Sequence, residues 1–69
     1  MNDALLDSMI AHTGAKNYSD LARKLGVHRS LVSHWRSGAK QPQASMAKTI
    51  ELATGGKIPR AVIRPDVFL

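Results

Sequence analysis

The residues best suited to chemistry lie in one run, HRSLVSHWRS, at positions 28–37. Hydroxyls beside imidazoles and guanidiniums admit three chemistries: an activated nucleophile, a metal site, or multi-donor recognition of an anion. Ser30 and Ser33 neighbour His28 and His34, but no acid follows to orient an imidazole base, as a nucleophile arrangement requires. His28 and His34 are six residues apart, about 600° around a helix, so they lack the four-residue spacing that puts two zinc ligands on one face. His12 is remote, the carboxylates are few and scattered, and cysteine is absent. The expectation is therefore no enzyme, no metal and no cofactor.

Recognition remains. Advancing about 100° per residue from Arg29, Ser30, Ser33, His34 and Ser37 join Arg29 within about 0° to 140°, whereas Leu31, Val32 and Trp35 fall within about 200° to 300°. Arg36, near 340° by the same rule, lies on the flank, from which a long cation can reach sideways. The helix carries no carboxylate, although a face meant only for water would profit from Glu and Lys pairs four residues apart. Donors that repel no phosphate suit the major groove of DNA, where base edges and phosphate oxygens are met together. The plainer alternative is a solvated polar face that happens to lack acids. Trp35, beside Leu31 and Val32, belongs to the core rather than to a ligand.

The elements that must hold this helix follow from caps and stops. Residues 2–13 read as an amphipathic helix with Asn2 as cap and Leu5, Leu6, Met9 and Ile10 on one face; Gly14 stops it. Asn17, with Asp20 three residues on, opens a second helix from Tyr18 to Leu25, ended by Gly26. The third begins at Val27 or His28 and runs to Ser37, before Gly38. Gln41 and Pro42 are expected to open a fourth, a first-turn proline having no amide to lose; it carries Ala44, Met46, Ala47, Ile50 and Ala53 and ends at Gly55 and Gly56. Pro59 begins a short turn through Ile63, and Pro65 forbids its extension, so Asp66 to Leu69 is expected to be extended. The fold class is all-α.

At 69 residues the chain is at most one domain, spanning 1–69. So small a chain commonly needs a disulfide, a metal or a partner subunit; without cysteine, self-association is the most available. The sequence has no run of about 18 apolar residues for a membrane span and no basic leader, which leads us to expect a cytoplasmic protein with no membrane partner. The net charge is +5. Residues 1–15 hold only Asp3 and Asp7, residues 16–40 hold six basic groups against Asp20, and residues 41–69 net +2. The basic excess of the middle third points to a polyanionic partner.

The run YSDLARKLGVHRSLVSHWRS, residues 18–37, resembles the helix-turn-helix of the phage repressor and Cro superfamily. Ala22 matches the small residue where the two helices cross, Gly26 the turn, and Leu21, Leu25, Val32 and Trp35 the apolar set between them. With ELATGGKIPRAVIRPDVFL at the C-terminus, the chain looks like the Cro-type regulators of the YdaS antitoxin group. Tyr18 stands where that motif often has Gln, and His28 where Ser or Thr often caps the recognition helix. The resemblance implies a lambda-repressor-like domain of four to five helices that binds double-stranded DNA as a repressor of prophage or toxin-antitoxin type. By position, His28, Arg29, Ser30, Ser33, His34 and Ser37 are its base-reading residues, Arg29 first among them through two parallel bonds to guanine. Tyr18, Arg36, Lys40 and Gln41 are its phosphate contacts.

One recognition helix reads few base pairs, so a homodimer on a pseudopalindromic operator is expected, with two such helices about one DNA turn apart. Leu52, Val62, Val67, Phe68 and Leu69 are the candidate dimer surface; alternatively they complete a small core. A toxin is a possible further partner. The rival to DNA binding is a protein-interaction module, an antitoxin or adaptor, whose basic face takes an acidic protein.

Overall fold

The computed structural model describes residues 1–68. Five helices follow in order: α1 (Asp3–Thr13), α2 (Tyr18–Leu25), α3 (Arg29–Ser37), α4 (Ala44–Ala53) and α5 (Arg60–Ile63). No strand occurs among the described residues. The Asn2 side chain accepts from the Leu5 amide at 2.8 Å, and Asn17 accepts from Asp20 at 2.8 Å, so each satisfies one of the unpaired donors of a helix start. Asp20 does not close the reciprocal bond onto Asn17. It reaches one residue further, to the Lys16 amide at 2.9 Å.

The core joins all five helices. Leu6 and Met9 of α1, Leu21, Ala22 and Leu25 of α2, Val32 and Trp35 of α3, Ala47 and Ile50 of α4, and Ile63 of α5 are buried, with Ile58 from the α4–α5 connection. Packing is most extensive between α2 and α3, whose short connection turns at Gly26. Trp35 is the largest of the fully buried side chains, and its indole Nε1 has no hydrogen-bond partner among the described residues. α3 is thus fixed from behind by Val32 and Trp35 while its opposite face stays in solvent.

Two expectations need correction. Pro42 is not in the first turn of α4, which starts at Ala44 with Gln43 as its cap. Pro42 is instead buried, and its carbonyl accepts from Arg64 Nη1 at 2.9 Å, so it is tied to the far end of the chain. Nor are the described residues after Pro65, Asp66 to Phe68, extended; Leu69 lies outside the described residues. Pro65 takes the second place of a turn in which the Val67 and Phe68 amides donate to the Arg64 carbonyl at 3.1 and 3.0 Å. Arg64 reinforces that turn by a two-pronged pair with Asp66, at 2.9 and 2.7 Å. Between α4 and α5, buried Thr54 donates its hydroxyl to the Ile50 carbonyl at 2.9 Å and accepts from the Ile58 amide at 3.2 Å.

Candidate nucleic-acid interface

α3 presents the face expected of it. Arg29, Ser30, Ser33, His34 and Ser37 are exposed, Leu31 is half-buried, and Val32 and Trp35 are sealed beneath. Arg29 makes no side-chain hydrogen bond or ion pair among the described residues, and neither do the side chains of Ser33 and His34. These three are therefore open to an external partner. Ser37 is partly engaged: its hydroxyl donates to the His34 carbonyl at 3.2 Å. His28 caps α3 despite its unusual chemistry, since its Nδ1 accepts from the Ser30 amide at 3.2 Å and lies 2.9 Å from Ser30 Oγ. An imidazole nitrogen can accept only while unprotonated, so His28 cannot serve at once as cap through Nδ1 and as cation.

Lys40 and Gln41 are exposed in the α3–α4 connection, where the Lys40 amide donates to the His34 carbonyl at 3.2 Å. They follow α3 directly and so border its exposed face at the C-terminal end. Tyr18 and Arg36 are brought together on the other side. The Arg36 guanidinium carbon sits 5.3 Å from the Tyr18 ring centroid, a cation–π distance. Arg36 Nε donates to Asp3 Oδ1 at 3.1 Å, and the Tyr18 hydroxyl donates to Asp7 Oδ1 at 3.2 Å. Burial and then the Asp7 charge push the Tyr18 phenol above its ordinary pKa, while the Asp3 hydrogen bond raises that of Arg36.

Asp3 and Asp7 are the neighbours of the candidate site that sequence reasoning missed. Read along α3 alone, the face is free of acid; in space, α1 delivers one to its edge, 33 residues away in the chain. The only signal was the isolated negative charge of residues 1–15, which does not say where α1 lies. The basic excess is also redistributed. Arg23 pairs with Asp20, Arg36 with Asp3, and Arg60 and Arg64 with Glu51 and Asp66. Among the described residues Lys16, Lys24, Arg29, Lys40, Lys48 and Lys57 make no ion pair, so four of the six free cations lie between Lys16 and Lys40, along the α2–α3 unit and its two ends.

The candidate dimer residues divide. Leu52, Val62 and Val67 are 78%, 55% and 47% exposed, far more than the core needs. Phe68 instead packs on the core, with Lys48 and Arg60 cations 5.9 and 5.5 Å from its ring centroid. Leu69 lies outside the described residues. No group of three His, Cys, Asp or Glu side chains among the described residues is placed to hold a metal ion. No helix of the described residues is long and apolar enough to cross a membrane.

Neither a curated protein nor a solved structure matches the chain. A family model described as "Bacterial toxin YdaS" matches residues 6–69, which takes in all of α2 to α5 and most of α1. That span runs from the Leu6 core anchor through the two-helix unit to the turned tail, and on it the chain belongs to the YdaS family.

Proposed function

We propose that this protein is a sequence-specific DNA-binding regulator, a Cro-like repressor of prophage or toxin-antitoxin type. It lays α3 in the major groove and binds a pseudopalindromic operator in the bacterial cytoplasm as a homodimer. The observation that carries this reading is the outer face of α3: Arg29, Ser33 and His34 are exposed, unengaged by the protein, and rigidly backed by buried Val32 and Trp35. Such a face has no internal purpose, and its donors match base edges. Arg29 reads guanine, with His28, Ser30, Ser33, His34 and Ser37 beside it; Lys40, Gln41, Tyr18 and Arg36 meet the backbone. The role is binding, with no catalytic step and no cofactor.

The experiment compares Arg29→Ala with Lys40→Ala on an operator selected from random duplexes and on a scrambled duplex. Arg29→Ala loses about 5- to 150-fold on the operator, the equivalent of about 1–3 kcal/mol for one bidentate base contact, and little on the scrambled site. Lys40→Ala weakens both alike and reduces the salt slope by about one. Equal losses on every sequence for both variants refute the division of labour.

The family's description as a toxin is compatible with a second reading, a protein-interaction module (antitoxin or adaptor) whose basic face binds an acidic protein partner. A gel shift with the DNA upstream of the protein's own gene separates the two. The regulator binds there and the adaptor does not.

A further inference from the structure

Arg36 differs from Arg29 in being gripped by its own protein. Its Nε edge is held by Asp3 at 3.1 Å and one face lies over Tyr18 at 5.3 Å. Tyr18 is itself fixed, as the first residue of α2 and through its hydroxyl bond to Asp7 at 3.2 Å. Arg36 makes no further hydrogen bond among the described residues, so Nη1 and Nη2 keep their donors unassigned. Asp3, Ser33, Arg36 and Ser37 border one open depression of about 430 Å³, which Arg36 thus shares with two serines of the α3 face.

By charge alone, an acid at the rim of a surface meant for a polyanion is a defect. Its geometry suggests otherwise. A guanidinium is planar, and its paired amino groups match the spacing of two phosphate oxygens. A hydrogen bond at Nε and a ring beneath the plane remove the freedom of a long side chain without covering that paired edge. An ion pair this exposed contributes little stability; Asp3 and Arg36 are 61% and 53% exposed at their side chains, so holding α1 against α3 is a weak reason for the contact.

We propose that Asp3 is a positioning residue for DNA binding: it holds Arg36 by Nε so that Nη1 and Nη2 present a fixed fork to one backbone phosphate at the edge of α3. The inference rests on the reading of α3 as a groove-binding helix. Phosphate contact conveys register rather than sequence, so the fork acts equally on every duplex.

The test turns on a sign. Asp3→Ala, Asp3→Asn and Arg36→Lys are measured by fluorescence anisotropy on the selected operator and on the scrambled duplex, well below the melting temperature of each variant. A merely repulsive acid predicts tighter binding for Asp3→Ala and Asp3→Asn alike. A positioning acid predicts that Asp3→Ala binds both duplexes about three- to tenfold more weakly although a negative charge has gone, because pre-organisation is lost. Asp3→Asn keeps an oxygen acceptor for Nε and so matches or exceeds the wild type. Arg36→Lys, a point charge without a fork, is as weak as Asp3→Ala.

Unchanged or tighter binding by Asp3→Ala overturns the proposal, as does a loss that Asp3→Asn fails to restore. The Arg36 Nε–H resonance reports on the free protein: it is protected from exchange in the wild type and in Asp3→Asn and unprotected in Asp3→Ala, and equal protection in all three refutes the grip itself. Wild-type protein that binds no duplex removes the groove-binding reading, a result distinct from wild-type binding that is insensitive to Asp3.

Discussion

Replacing Gly26 by alanine isolates backbone strain at the turn between α2 and α3. Gly26 ends α2 at φ 75° and ψ 27°, the left-handed region, and its amide donates back to the α2 carbonyls, at 3.2 Å for Arg23. A Cβ built there meets nothing within 4 Å, so the substitution introduces no collision. What remains is the cost of holding an L-residue left-handed, about 1–2 kcal/mol, offset by about 0.4–1 kcal/mol because alanine also restricts the unfolded chain. The expected net loss is about 1 kcal/mol, which in a domain of this size lowers the melting temperature by about 4–8 °C. Thermal unfolding followed by circular dichroism at the helix band measures it, with Gly26→Asn as control, since asparagine tolerates this region better and loses less. Below its melting temperature Gly26→Ala retains the wild-type ligand affinity, because the α3 face is set by Val32 and Trp35. Wild-type stability in Gly26→Ala, or a loss above about 3 kcal/mol, refutes the assignment of the cost to strain alone.

Two further outcomes are expected. Asp20 is held below the ordinary carboxylate pKa chiefly by the Lys16 amide and then by Arg23, Glu51 by Arg60, and Asp66 by Arg64. Depressed pKa values contribute stability that is complete above the unfolded carboxylate value of about 4 and is lost as pH falls through the lower folded values. Melting temperature therefore drops on acidification below about pH 4, less steeply in Asp20→Asn, and an acid-insensitive melt contradicts the pairings. If Leu52 and Val62 lie in a dimer interface, Leu52→Asp with Val62→Asp converts a sedimenting dimer to monomer while stability of the monomer changes by no more than about 0.5 kcal/mol. A wild type that stays monomeric at high concentration, with and without DNA, refutes the interface.

The parts of the fold that could be read from the chain were those decided within a few residues. Asn2, Asn17, Gly14, Gly26 and Gly38 set helix ends through bonds spanning three or four positions; α1 and α2 begin and end, and α3 ends, where those residues place them. Pro42 and the tail depart from the local reading, and both involve Arg64. Arg64 anchors both, but differently: its bond to the Pro42 carbonyl spans 22 residues and has no local signature, whereas the tail turn is closed by Arg64 with Asp66, Val67 and Phe68, two to four residues away. The candidate site divides in the same way. The exposed face of α3 followed from periodicity, because the inner side is a stripe of Leu31, Val32 and Trp35. The acids beside Tyr18 and Arg36 did not, because which turn of α1 meets the edge of α3 depends on how α1 packs on α2 and α4.

Trp35 gives the molecule an optical property of its own. It is the sole tryptophan of the chain, fully buried, with its indole nitrogen unpaired among the described residues. An indole so shielded emits at the blue end of its range and shifts to the red only when water reaches it, so emission follows the seating of α3 at a single site. Because Trp35 lies behind the helix and Arg29 and Ser33 in front, a ligand that binds the outer face without moving α3 leaves the colour unchanged. A shift on binding would mark a rearrangement of the helix itself. The core side chain that fixes the outer face of α3 is thereby also its native fluorescent label.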